Sequence, residues 1–363
     1  MWERIVRRYN AALNWRDDLI DRSKERLRRD SYREGEGRRE RFVHVIKSRW
    51  FKRIAAVCGV LLLIGYGVST VRHYHFAEPF TLAEAGYVAA NPTHKGTAIV
   101  RVLIKIIGDL ENDWQPNDLA LSPTQLILDN PRNFQYGELF AIREVIIILR
   151  EELGRLRTND EKNPHVVAAY NYVANDTDAW IYPRFEWKLA DARRELGVYL
   201  KELESGKAKI YPRADNMNAL LYRIASMLGD EARRLENAYG PREITSEETA
   251  GDRGADTETI LNIQTPWREI DDNFFRAQGV LYVMSHIYGA AREDFREIIR
   301  VKKADAFADR VREVFNPEGF LHDPLYVSNG GRLSMWPNHS MQLVGIVQTT
   351  RQYVSSLISA LEQ

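Results

Sequence analysis

Trp267 to Arg300 reads WREIDDNFFRAQGVLYVMSHIYGAAREDFREIIR, and its middle, Ala277 to Ala291, carries no charged side chain. A bilayer span needs about 20 predominantly apolar residues, and this middle is shorter and includes Gln278, Ser285 and His286. It therefore predicts a buried central helix of a folded body, because a helix that is apolar all round must be covered on every side.

The flanking sequence supplies the cover. Phe185, Leu189, Ala192, Leu196, Tyr199, Leu200 and Leu203 recur at helical spacing, as do Met217, Leu221, Ile224, Leu228 and Leu235, with charged residues between them. Each stripe follows a similar tetrapeptide, Ile181-Tyr182-Pro183-Arg184 and Ile210-Tyr211-Pro212-Arg213. Proline at a helix start breaks no helical hydrogen bond, so Tyr-Pro-Arg reads as a helix-entry signal. Further helices are predicted over 97–110, 137–156, 303–315 and 340–361. Residues 112–133, with three prolines, and 316–337 read as irregular. Tyr239 to Thr265, rich in Gly, Thr and acids, reads as a mobile loop that divides the body into two possible halves near 240–265. Little of the chain alternates with period two. The expected fold class is all-α: a multi-helix bundle with long irregular loops.

A second uncharged run lies outside this body. Ile54 to Val71, IAAVCGVLLLIGYGVSTV, is bounded by Lys52 and Arg53 on one side and Arg72 on the other. At about 1.5 Å per residue its helix is roughly 27 Å long, close to the thickness of a hydrocarbon core. The 363 residues balance 51 basic against 51 acidic side chains, yet residues 1–53 hold 17 basic and 9 acidic ones. Neutrality is therefore an average of +8 before the run and −8 from it onward. Basic residues concentrate on the cytoplasmic flank of a span, and here Arg38, Arg39, Arg41, Lys47, Arg49, Lys52 and Arg53 face Arg72 alone. The expected organisation is a cytoplasmic arm over 1–53, a transmembrane signal-anchor helix over 54–71, and a periplasmic helical domain over 72–363. The sole cysteine, Cys58, lies inside the run, which leaves the exported part without a disulfide and suits a bacterial inner membrane.

Within the arm, Trp2, Ile5, Val6, Tyr9 and Leu13 share one helical face, with Arg4, Arg7 and Arg8 off it. Such a basic amphipathic helix suits an anionic membrane surface, a partner helix, or a solvated arm that only enforces topology. Nucleic acid is not an expected partner.

No HExxH, CxxC, P-loop, GxSxG or GxGxxG pattern occurs, so neither a cofactor nor catalysis is expected. His73 and His75 could hold a transition metal together with His94 or a carboxylate, but as alternating residues at a membrane surface they read first as interfacial. Asp271 and Asp272 lie too far along one helix from Glu293 and Asp294 to form an acid-base dyad, and both ends read as solvated. His286 reads as a hydrogen-bonded core histidine. The segment Ser328 to Ser340, SNGGRLSMWPNHS, has the residues of a ligand loop: Gly330 and Gly331 for close backbone approach, Arg332 for an anion, Trp336 for stacking, and His339 beside them. Its plainer reading is a tight turn in which Asn338 or Ser340 caps the last helix.

A basic arm, one span from about residue 54 and a helical region beginning HYHFAEPFTL resemble an uncharacterised family of single-span proteobacterial inner-membrane proteins. The resemblance implies a location and no chemistry. Together these readings predict a non-enzymatic scaffold, adaptor or assembly factor, with the lipid bilayer and other inner-membrane or periplasmic proteins as partners. The alternative is a periplasmic sensor or binding domain for a lipid, peptidoglycan fragment or small anion. Oligomeric state is left open by the sequence.

Overall fold

The fold was read from a computed structural model. It describes residues 21–26, 49–73 and 77–363, apart from 92–93, 95, 118–128, 156–160, 180–181, 239–241, 245–260, 264, 325, 330–334 and 336. The chain divides into two compact units, Met1–Ser69 and Thr70–Gln363.

In the first unit residues 21–26 are helical. Helix α1, Arg49–His73, contains the uncharged run and starts within the first unit. Ile54, Leu61, Leu62, Leu63 and Val68 are exposed on it, as is Cys58. Among the described residues no helix is long and apolar enough to cross a membrane.

The second unit is built from α2 (Ala98–Asn112), α3 (Asn130–Ile148), α4 (Pro164–Val173), α5 (Phe185–Glu204), α6 (Ala214–Asn237), α7 (Ile270–Asp294), α8 (Arg296–Val301), α9 (Asp305–Val314), α10 (Pro317–Phe320) and α11 (His339–Glu362). Among the described residues the bundle is all-helical except for a short antiparallel pair, β1 (Arg242–Ile244) and β2 (Leu261–Ile263), in register Arg242↔Ile263 to Ile244↔Leu261. That pair lies within the 239–265 stretch read as a loop. Helices from either side of it share one core, with α3 against α7 and α6 against α11.

Helix α7 is the central element, buried from Phe274 to Tyr288 with the single exception of Arg276. Its neutral stretch is covered by α2, α3 and α6. Met217, Leu221, Ile224, Leu228 and Leu235 of α6 are all buried, as are Phe185, Leu189, Ala192, Leu196 and Tyr199 of α5. Both Tyr-Pro-Arg signals do start helices. Arg184 and Arg213 are the N-cap residues of α5 and α6, each in extended backbone. Each guanidinium then pairs with the acid two residues on, Arg184 with Glu186 and Arg213 with Asp215. That places negative charge in the first turn, where the helix dipole favours it.

Several elements differ from expectation, including the short α10 inside the 316–337 stretch read as irregular. Helix α3 starts at Asn130, because Pro131 occupies its first turn where no amide partner is lost, and it ends in a π turn, Leu149–Leu153. Helix α4 was not foreseen, although Asn163-Pro164 is a cap followed by a first-turn proline; Asn163 Oδ1 accepts from the amides of His165 and Val166. The helix read through to Arg300 stops at Asp294, whose carboxylate turns away to another element, as described next.

Candidate functional site

A groove of about 960 Å³ opens between residues 79–83, the C-terminal half of α7, and α9 with α10. Its first wall is held by α7 itself. The Phe80 amide donates to His286 Nε2 at 3.2 Å, and the Tyr282 hydroxyl donates to the Glu78 carbonyl at 3.0 Å. The Phe80 ring stacks on the imidazole, centroids 4.1 Å apart, and Lys105 Nζ lies over the Phe80 ring, 5.2 Å from its centroid. Thr81 and Glu84 form a capping box: the Thr81 amide donates to Glu84 Oε2, and the Glu84 amide to Thr81 Oγ1.

His286 is spoken for on both sides. Nδ1 lies 2.8 Å from the Tyr282 carbonyl, which needs a donor, while Nε2 receives an amide, which needs an acceptor. These partners fix the neutral Nδ1–H tautomer, and burial lowers the pKa in agreement. The core role expected for His286 is therefore what the geometry provides. The Ser285 hydroxyl donates to the Tyr282 carbonyl and the Tyr288 hydroxyl to the Ala308 carbonyl. Three of the rim's charged side chains are also paired: Glu293 with Arg296, Asp309 with Arg292, and Glu313 with Arg310, while Arg312 and Glu318 make no ion pair among the described residues. The groove thus offers shape, an aromatic wall and a charged rim in which most of the acids are paired.

The two ends of α7 behave differently from the solvated ends expected. At the first, Asp272 is half-buried beside Asn133, and burial with Asp129 and Asp271 raises its pKa to about 6. At the other, Asp294 is 7% exposed and accepts from the amides of Ala98 and Ile99, both at 3.0 Å, so it caps α2 from across the fold. Burial raises its carboxyl to about 7, opposed by those amides. An ordinary Asp titrates near 3.8, so the folded state binds this proton more tightly than the unfolded chain. Its contribution is complete below about pH 4 and is lost as pH rises to about 7. Asp294→Asn should therefore flatten the fall in unfolding free energy of the full chain between pH 5 and 7.5, by on the order of 2–4 kcal/mol. Denaturant unfolding at several pH values measures this, and parallel profiles for the two proteins would contradict it.

Of the residues singled out in sequence, Gly330, Gly331, Arg332 and Trp336 lie outside the described residues, as do Trp2, Ile5, Val6, Tyr9 and Leu13. The described residues on either side of the 330–336 segment are tied to one another. The Ser328 amide donates to His339 Nδ1, the His339 amide to the Ser328 carbonyl, and the Ser328 hydroxyl to the Pro337 carbonyl. Asn338 Oδ1 accepts from the Met341 amide and caps α11. His94 Nδ1 accepts from the Val88 amide, and among the described residues no three His, Cys, Asp or Glu side chains are placed to hold a metal ion. The groove was missed in sequence because its residues come from three separated stretches, and only Thr81-x-x-Glu84 carried a local signal.

No curated protein and no solved structure matches the chain. A family model does match, over residues 51–363, and its description is an uncharacterized protein conserved in bacteria (DUF2333). The groove and the whole helical body fall within the matched region, and the chain belongs to that family.

Proposed function

We infer that this protein is a membrane-anchored adaptor of the bacterial envelope, with the helical body binding a partner protein in the groove along α7. The observation that carries this reading is the state of the groove's polar groups. His286, Ser285 and Tyr288 spend their hydrogen bonds on the fold, and three of the four acids lining the groove, Glu293, Asp309 and Glu313, are paired with arginines. A site of this volume whose buried polar groups are already satisfied suits recognition by shape and rim complementarity better than proton or group transfer. The anchor is supported by the uncharged 54–71 run, its lopsided basic flank and the exposed apolar side chains of α1. On this reading residues 1–53 are cytoplasmic and the body is periplasmic.

Photo-crosslinking side chains at Thr81 and Glu318, on opposite groove walls, should capture the same protein neighbour in native membranes, whereas one at the exposed Lys201 of α5 should not. Mass spectrometry of the adducts reads the outcome, and groove positions that yield only uncrosslinked monomer would sink the adaptor reading. A phosphatase reporter fused after Gln363 should be active; an inactive fusion would reverse the orientation.

A further inference from the structure

Far along the chain from the groove elements, a smaller cavity of about 360 Å³ lies among Gly154, residues 161–164, Tyr199 of α5 and the 207–211 connection. Three lysines line it, Lys162, Lys207 and Lys209, against one acid, Glu161. Lys162 is held by Glu151 at 2.6 Å, but Lys207 and Lys209 have no ion pair among the described residues. Inside the cavity Tyr199 is 1% exposed, and its hydroxyl has no hydrogen-bond partner. Leaving a buried hydroxyl unpaired costs about 1–3 kcal/mol, so an orphan of this kind calls for an explanation. Burial raises its pKa, which keeps the proton on and the group a donor.

The backbone around the hydroxyl is shaped to leave it room. The π turn Leu149–Leu153 ends α3 at Gly154, where an added Cβ would lie 3.4 Å from the Tyr199 hydroxyl and 3.1 Å from the Leu149 carbonyl. The Tyr211 amide then ties the opposite wall to the Leu153 carbonyl at 3.1 Å. The N-terminus of α4 adds no free donors, because Asn163 already occupies the His165 and Val166 amides. What the cavity offers is one buried hydroxyl, on which the Glu202 carboxylate acts, and the two lysines Lys207 and Lys209 in its lining.

We propose that this cavity binds a phosphoryl group, with Tyr199 donating to a phosphate oxygen and Lys207 and Lys209 supplying the neutralising charge. Lysine ammonium groups serve a phosphate as point charges and need no planar bidentate geometry. The cavity is of small-ligand size, so the group can arrive as free phosphate, on a small phosphorylated molecule, or as the headgroup of an anionic lipid. The site uses none of the groove residues, and it stands or falls separately from the adaptor reading.

The test is thermal unfolding of the full chain. Inorganic phosphate, against chloride at matched ionic strength, should raise the midpoint in detergent by about 3 °C or more. Nanodiscs of phosphatidylglycerol, against phosphatidylcholine, provide the lipid arm. The double variant Lys207→Gln/Lys209→Gln should weaken binding by about tenfold or more in whichever arm responds. Tyr199→Phe, which removes only the orphan hydroxyl, should raise the ligand-free midpoint and weaken binding by about tenfold. A response to phosphatidylglycerol alone that the lysine variant abolishes assigns the phosphoryl group to lipid, and a response to phosphate assigns it to a free ligand. The proposal is overturned if neither arm exceeds its control, or if the lysine variant keeps the full response.

Discussion

Gly279→Ala should destabilise the helical body by at least about 3 kcal/mol, at the severe end for a single methyl group. A Cβ at Gly279 would sit 2.0 Å from the Phe134 carbonyl oxygen, and one at Gly137 would sit 2.0 Å from that of Arg276. The arrangement is reciprocal: each glycine faces the carbonyl three residues before the other glycine. Helices normally pack with their axes 8–10 Å apart, held off by side chains. Here α3 and α7 meet backbone to backbone, and the obstructing atoms are carbonyls that cannot rotate aside. The whole pair would have to separate, opening voids along Phe134, Ala141, Phe275 and Tyr282. Gly137→Ala should cost a similar amount. The double variant should cost less than the sum, because one separation accommodates both methyls. Gly197→Ala, in α5 with nothing within 4 Å of the added carbon, is the control, and it should be neutral or stabilising because alanine favours the helix by about 1 kcal/mol. Urea unfolding monitored by circular dichroism measures all four, and a Gly279→Ala protein as stable as the Gly197→Ala control would refute the close-crossing argument.

The centrality of α7 was readable because an uncharged stretch too short for a membrane has one stable destination. The glycine crossing was not readable. Nothing in Gly137 or Gly279 taken alone separates a close approach from a tolerated helix glycine, and the pair lies 142 residues apart in sequence. The same distance effect hid Asp294 as the cap of α2, since its partners Ala98 and Ile99 are almost 200 residues away. By contrast, the Asn338 cap and the helix entries at Arg184 and Arg213 were legible, because a cap acts on amides within a few residues of itself. The groove sits between these extremes. Its motif-bearing wall belongs to the HYHFAEPFTL stretch that carried the family resemblance, and within it Glu78, Phe80 and Thr81 each make a hydrogen bond that sets the wall in place. Sequence could mark that stretch as distinctive, but only the fold shows that it lies along α7 and forms one side of a site.

Charge inside the core provides the second large effect. Glu231 of α6 has 1% of its side chain exposed and is ion-paired with Arg276 of α7, whose guanidinium lies 4.9 Å from the Phe140 ring of α3. One side chain thereby links three helices, at the turn of α7 that also supplies the carbonyl facing Gly137. Even with this partner, burial outweighs attraction and Glu231's pKa stands above its ordinary value of 4.5. Arg276→Met keeps much of the apolar stem but removes the charge, leaving Glu231 with Arg234 at 3.9 Å. A buried carboxylate that has lost its close partner should cost about 3–5 kcal/mol near neutral pH. The sign of the pH dependence follows from the same pair. Without Arg276 the folded-state pKa of Glu231 rises further above the unfolded value, so the penalty is absent where both states are protonated and grows as pH rises through the new pKa. Arg276→Met should therefore approach wild-type stability at pH 4.5 and show its full deficit at pH 8. Adding Glu231→Gln should recover most of that deficit, because a neutral amide needs no counter-charge. Urea titrations at the two pH values decide it. A deficit that is equal at both, and untouched by the second substitution, would mean that Arg276 acts through its packing on Phe140 and not through the charge it neutralises.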